Sequence, residues 1–350
     1  MATSHYLLRL LLVVNFMQPR APRLIRYTLP VEPIIKGSNM QSQTKQAARN
    51  ALIGALMALA AAITVSSKAV MVKLAYAQSA PFTVDASTLI ALRMAFSAPF
   101  FIALAFWVRT SAATPKITGR DAGIIALLGV LGGYAPMLLD FEGLAYVTAG
   151  LERIILYIYP TIVVIISALL FKQRVGKRAY FAILLTYAGV ALVVGHDVFL
   201  LKTDSAETML GAGLVAASAI TYAAYLIVSG QLIPRIGALA FTAYTMMAAT
   251  VASAAHYAST SHPVTIFNLP TPVYWLSLLM AIVATVLPAI FLNVGIHKIG
   301  SSKAALISSV GPVSTVFLAC IFLGEQITWL QIAGTLLVLV GVLVISLAKK

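Results

Sequence analysis

Runs of about 20 apolar residues separated by short polar patches recur along this 350-residue chain. Each is long enough to cross a hydrocarbon core roughly 30 Å thick as an α-helix. The pattern places ten of them, at 50 to 75, 86 to 108, 122 to 142, 148 to 171, 178 to 195, 210 to 230, 237 to 257, 273 to 295, 302 to 323 and 328 to 347. They are apolar all round, whereas a membrane β-barrel would show segments of about ten residues with alternating polarity. The reading is an all-α membrane protein with ten transmembrane helices. An even number puts both termini on one side.

Residues 1–49 do not follow this pattern. An apolar stretch from Tyr6 to Met17, interrupted by Arg9, is too short to span a bilayer, and no small-residue cleavage site marks it as a signal peptide. A disordered or interfacial cytoplasmic tail is expected, with Met40, ahead of a polar and basic lead-in, as an alternative start.

The spans are duplicated. Gly143 to Val194 realigns without a gap on Gly295 to Ser346, matching Gly143 with Gly295, Ile155 with Ile307, Pro160 with Pro312, Leu184 with Leu336 and Gly189 with Gly341. Gly54, Ile63 and Thr64 fall likewise on Gly211, Ile220 and Thr221. Residues 50–195 then form one five-helix repeat and residues 210–350 a second, joined by an outer loop over 196–209. An odd number of helices forces the second copy to start on the opposite face, so the repeats are inverted. Inverted repeats are a building plan of many secondary transporters.

Charge supports that orientation. Lys172, Arg174, Lys177 and Arg178 of the first copy face Gly324, Gln326, Trp329 and Leu330 in the second. Lys45, Arg49, Arg109, Lys116, Arg120, Arg235, Lys298, Lys303, Lys349 and Lys350 fall on the same side as the basic run, and the opposite loops hold only Lys202. The positive-inside rule makes the first set cytoplasmic, with both termini inside the cell membrane. The net charge of +14 is thus explained by orientation rather than by nucleic acid. Hydrophobic residues make up 61% and charged residues 10% of the chain, against about 25% charged in a soluble domain, so the bilayer is the solvent and function must reside in the bundle.

Several motifs exclude more than they assign. No Walker A sequence is present, which argues against nucleotide-driven pumping. Gly211 and Gly213, like Gly129 and Gly133, read as close helix contacts. His196, His256 and His262 lack zinc-type spacing, and no metal or cofactor is expected. Cys320 is the single cysteine, so no disulfide forms within the chain.

Ionisable residues inside spans are the sharpest chemical signal, since each costs roughly 2.5 to 3.5 kcal/mol at a helix centre. Counting from the outer span ends at about 1.5 Å per residue, Lys68, Arg93, Glu152 and Arg153 lie at similar depth, with Asp140, Glu142 and Lys73 nearer the surface. The equivalent second-copy positions hold Tyr225, Thr245, Ala304 and Ala305. Lys68 and Arg93 suit a carboxylate or phosphate, and Asp140 or Glu152 a proton or an amine; a purely structural salt-bridge network is the alternative. Glu152 and Arg153 point about 100° apart, so one of them should pair with a neighbouring helix. Lys73 is expected to snorkel to the interface. Tyr134, Tyr157, Tyr159, Tyr222, Tyr225 and Tyr244 lie within spans and can line a cavity or pack; Asn293, Ser308 and Ser309 can do either too. Pro160 and Pro312 each withhold a hydrogen bond from the carbonyl four residues back, at Leu156 and Ser308, and are candidate hinges.

These residues resemble the EamA-type members of the drug/metabolite transporter superfamily. The resemblance runs from about residue 50 to 348 and rests on SSKAVMVKLAY (Ser66 to Tyr76), ALRM (Ala91 to Met94), GLAYVTAGLERIILYIYP (Gly143 to Pro160) and GPVSTVFLACIFLGEQIT (Gly311 to Thr328). The first copy departs from the last pattern, with Phe-Lys-Gln-Arg at Phe171 to Arg174, so Glu325 is not half of a symmetric pair. The resemblance implies a transporter of small molecules. The resulting expectation is a secondary active exporter of a small polar or amphipathic metabolite, amino-acid-like or drug-like, working by alternating access as a monomer or homodimer and coupled to protons or to another gradient. Lys68, Arg93, Glu152, Tyr157 and Tyr222 are expected at the substrate, with Asp140 and Glu152 as proton sites. A non-transporting structural, receptor or lipid-acting enzyme role, or a lipid-carrier flippase, is the alternative.

Overall fold

A chain in hydrocarbon must satisfy its backbone polar groups internally, and the computed structural model does so with helices alone among the residues it describes. Those residues are 38–80, 82–110, 117–171, 176–199, 205–260, 266–299, 304, 307, 308 and 310–347. Helix α1 is Ser38–Ala77, α2 is Ala86–Thr110 and α3 covers Gly119–Tyr146. Helix α4 comes in two pieces, Ala149–Leu156 and Tyr159–Phe171, followed by α5 (Lys177–Phe199), α6 (Ser205–Ile236) and α7 (Ala238–Ser259). Then come α8 (Thr271–Ile299 with an internal π segment), α9 (Gly311–Leu323) and α10 (Trp329–Leu347). Eight of these are long and apolar enough to cross a membrane, and Gly311–Leu323 and Trp329–Val344 are shorter apolar helices. The molecule is an all-α, multi-pass membrane protein.

The boundaries differ from the hydropathy pattern in two places. The polar lead-in before residue 50 is already helical from Ser38, because Gln, Lys, Ala and Arg are good helix formers whatever the solvent. The rest of the tail, including its apolar stretch, lies outside the described residues. Helix α5 runs on to Phe199 and α6 opens at Ser205, so the connection expected over 196–209 shrinks to residues outside the described set.

Residues 47–350 cluster as one compact unit, because the two halves of the sequence interleave. Gly54 of α1 lies against α8, where an added Cβ would come 2.6 Å from Ile299 Cγ2, and Gly211 of α6 lies against α3, 3.0 Å from the Gly143 carbonyl. Gly189 of α5 likewise meets the Gly334 carbonyl of α10. Small residues let membrane helices approach this closely and gain dispersion contacts that lipid would otherwise supply. Helix α2 packs on α7 and α8. Large side chains such as Leu169 and Phe106, 75% and 70% exposed, face outward, where lipid is their solvent.

Two π segments interrupt the spans, Gly129–Tyr134 in α3 and Ile282–Val286 in α8. They fall at equivalent positions of the repeat alignment, which sets Tyr134 on Val286. Each rotates the helix beyond it and frees backbone groups, a geometry common at functional sites. In α8 the Thr285 hydroxyl takes up one freed carbonyl, donating to Met280 O at 2.9 Å. Gly324, at φ 68°, ends α9 in the left-handed conformation that glycine adopts without a steric penalty.

Candidate functional site

The intramembrane charges expected at one depth do meet. Lys68 of α1 sits between two carboxylates, ion-paired to Asp140 of α3 and donating to Glu152 Oε1 of α4 at 3.0 Å. Glu152 is 0% exposed and Asp140 3%. Thr148 fixes Glu152 in the first turn of α4 by accepting the Leu151 amide at 3.1 Å. Arg93 of α2 donates from Nε to Thr285 Oγ1 at 2.9 Å, and its guanidinium lies 5.5 Å from the Phe141 ring centroid. Arg153 stacks 5.3 Å from the Tyr157 ring. An added Cβ on Gly311 would come 2.9 Å from Arg153 Nη2 and 2.7 Å from the Tyr157 hydroxyl, so glycine there makes room for both. Three cations against two carboxylates leave one formal positive charge in excess. Arg93 Nη1 and Arg153 Nε are buried without a hydrogen-bond partner among the described residues, and a buried unpaired donor of a charged group is costly unless a ligand meets it.

These charges close one end of a cavity of about 470 Å³, within the range of small-molecule sites. Its lining runs along α1 from Lys68 back to Ala61, along α3 from Asp140 back to Gly132, and along α6 from Ser218 on to Tyr225. It therefore extends from the charge cluster away from the α3–α4 turn. Toward that turn the way is filled by Leu89, Ile90, Phe141, Leu144 and Ala149, each fully buried. A ladder of rings forms the wall: Tyr157 to Tyr159 at 6.1 Å, Tyr159 to Tyr222 at 5.3 Å, Tyr222 stacked on Tyr225 at 5.9 Å, and Tyr225 on Phe241 at 5.8 Å. Polar edges and apolar faces in one wall suit an amphipathic solute.

The placement of individual residues refines the expectations. Lys68, Arg93, Asp140, Arg153, Tyr157, Tyr159, Tyr222 and Tyr225 line the cavity, while Glu152 stands outside its lining, paired to Lys68. Of the adjacent pair, Glu152 is thus the one that turns to a neighbouring helix, and Arg153 faces the cavity. Lys73 reaches the α3–α4 turn. Its ammonium donates to the Leu144 and Val147 carbonyls at 3.3 and 2.9 Å, because the carbonyls ending α3 have no intrahelical partner and carry the negative end of the helix dipole. Tyr134 hydrogen-bonds His256, and Tyr244 packs in a separate apolar cluster with Phe241. Pro160 follows the break between the two pieces of α4, and Pro312 lies in the first turn of α9. The Ser308 carbonyl that Pro312 cannot serve accepts the Tyr157 hydroxyl at 2.8 Å. The side chains of Asn293, His196 and His262, and Ser309, lie outside the described residues. Among those described, no three His, Cys, Asp or Glu side chains form a metal-type group. Thr285 and Phe141 orient Arg93 unannounced by sequence, since neither threonine nor phenylalanine is unusual within an apolar span.

Such a duplicated bundle closing on buried charge can be compared with known proteins. The EamA-like transporter family profile matches twice, over residues 52–195 and 209–347. The chain belongs to the EamA-like transporter family. It is 30% identical over 301 residues to the uncharacterized transporter YcbK of Bacillus subtilis, covering 84% of this chain and 93% of the relative. It is 28% identical to the uncharacterized transporter YyaM of the same organism, over 65% of this chain and 74% of that one. A probable terminal-alkyne amino-acid exporter of Streptantibioticus cattleyicolor is 41% identical over 59 residues, only 17% of this chain and 20% of the relative. One solved crystal structure aligns with 83% of this chain and 95% of its own, at a TM-score of 0.56 and 19% identity, a likeness of fold alone.

Proposed function

We propose that this EamA-like protein is a secondary active transporter that exports a small amphipathic metabolite bearing an anionic group, by alternating access between two inverted repeats. The observation that carries the reading is the unpartnered, buried Arg93 Nη1 beside a cluster with one excess positive charge at the closed end of a cavity. Arg93 and Arg153 hold the anionic group, Lys68 sets the local charge, and Tyr157 and Tyr222 carry the body of the solute. Asp140 and Glu152, sharing one lysine, are the groups on which a coupling proton resides. By the positive-inside rule the α3–α4 turn is at the outer face of the cell membrane, so the cavity faces the cytoplasm, as loading for export requires. The breaks at Pro160 and Pro312 are where the halves bend.

The amino-acid exporter among the relatives supports amino acids and related carboxylates as the first solutes to test. In proteoliposomes, wild-type protein should give saturable flux of one or more members of such a panel. Arg93→Ala and Lys68→Ala, inserted in normal amounts, should abolish it. Flux equal to wild type in both variants would remove the substrate role, and turnover of lipid without solute flux would replace the transporter reading with a lipid-directed one.

A further inference from the structure

The α3–α4 turn is held from two sides by opposite charges that the substrate site does not use. Lys73 takes the carbonyls at the end of α3. Glu325, from the loop after α9, accepts the first amides of α4, Ala149 N at 2.9 Å and Gly150 N at 3.3 Å. Free amides and the positive end of the helix dipole make that a favourable seat for a carboxylate. The left-handed Gly324 turns the chain so that Glu325 follows directly. The contact joins the second half of the chain to the first, two residues before Glu152 begins the charge cluster. It lies on the end of the bundle where the cavity is sealed.

We propose that Glu325 is the latch of the outer gate: it holds the first turn of α4 against the α9–α10 loop while the cavity faces the cytoplasm, and must release for the outer end to open. It touches no substrate and acts by positioning α4, with Lys73 as the second half of the clamp. The inference rests on the alternating-access reading, but its test needs no substrate.

The test places a reporter cysteine, Ala69→Cys, in a Cys320→Ser background. Ala69 is 1% exposed and lies one residue beyond Lys68 toward the sealed end. Labelling by a membrane-impermeant maleimide is measured from each face of oriented vesicles. With Glu325 intact the reporter should be protected. Glu325→Ala, and Glu325→Asp, which is too short to meet both amides, should raise labelling from the α3–α4 face by about tenfold. Glu325→Gln, isosteric and still an acceptor, should fall between and keeps the test open if the alanine variant fails to fold. Lys73→Met should act in the same direction. Equal labelling in all variants, or a lower melting temperature without a change in labelling, overturns the latch. A rise seen only with reagent at the face assigned as cytoplasmic overturns the orientation and leaves the latch standing. Loss of transport in Arg93→Ala with the latch result unchanged keeps the two proposals separate.

Discussion

The two halves of the chain share a packing plan and differ in what they bury. Gly54 against α8 and Gly211 against α3 are equivalent crossings, and Gly189 against Gly334 is matched by Gly341 against Ala182 between α5 and α10. At the positions where the first half places Lys68, Arg93 and Glu152, the second places Tyr225, Thr245 and Ala304. Where Arg93 meets Thr285, the equivalent Thr245 has its carbonyl near Gly133, 3.9 Å from where a Cβ would stand. Close backbone approach is thus demanded on both sides, because lipid gives helices no hydrophobic reason to associate and packing must do it. Among the described residues, buried charge is confined to one side. A symmetric pair of charge clusters would double the desolvation cost.

The largest test of that asymmetry is to remove Lys68. Lys68→Met leaves Asp140 and Glu152 buried without their shared cation, and breaking a buried pair costs about 3 to 5 kcal/mol. Glu152→Gln or Asp140→Asn, each leaving one carboxylate on the lysine, should cost less. The triple variant should regain part of the lost stability, since no charge is left unpaired within the triad while Arg93 and Arg153 lose their nearby carboxylates. Thermal unfolding in detergent reads this order, and a triple variant less stable than Lys68→Met would show that the charges are not balanced within this cluster. The symmetric part of the comparison comes next. Gly143→Ala places a Cβ 2.6 Å from Val215 Cγ2, whereas Gly295→Ala meets its nearest neighbours only at 3.2 Å. Overpacking costs typically about 1 to 3 kcal/mol, so Gly143→Ala should destabilise clearly, Gly295→Ala less, and Gly213→Ala, with nothing within 4 Å, not at all. The same unfolding assay ranks them.

Much of this was legible before any coordinates. Span length and hydropathy locate the helices, and depth counting puts Lys68, Arg93 and Glu152 in one layer, because rise per residue is fixed in a helix. The rotation of each helix about its axis is less legible where the span is apolar all round. That is why Glu152 could be expected at the substrate yet sits behind Lys68, and why the capping of α3 by Lys73 goes unannounced. The π segments escape for a related reason. Gly129–Tyr134 contains three glycines, but Ile282–Val286 contains none, so no local composition announces the bulge that presents Thr285 to Arg93. Glu325 has no symmetric partner in the sequence, and its bonds to Ala149 and Gly150 require none.

The smallest expected effect separates the two halves most finely. Thr285 and Thr245 are both buried threonines in apolar helices. Thr245 donates its hydroxyl to its own helix, at the Phe241 carbonyl at 2.7 Å, and lines the cavity beside Tyr225. Thr285 does the same toward Met280 and also accepts from Arg93 Nε at 2.9 Å. Hydrogen bonds between membrane helices are worth on average about 0.6 kcal/mol and at most about 1.7, so Thr285→Val should weaken binding of the transported solute by roughly threefold and by no more than about twentyfold. Arg93 stays near its place through its contact with Phe141, so expression should hold and the melting temperature should fall only slightly. Thr245→Val, equally isosteric, removes an intrahelical bond and a polar edge of the cavity wall beside Tyr225 but no bond to an arginine, and should change affinity less than Thr285→Val. Equal effects from the two valine variants would mean that Thr285 serves its helix rather than the arginine, and that Arg93 is oriented by Phe141 alone.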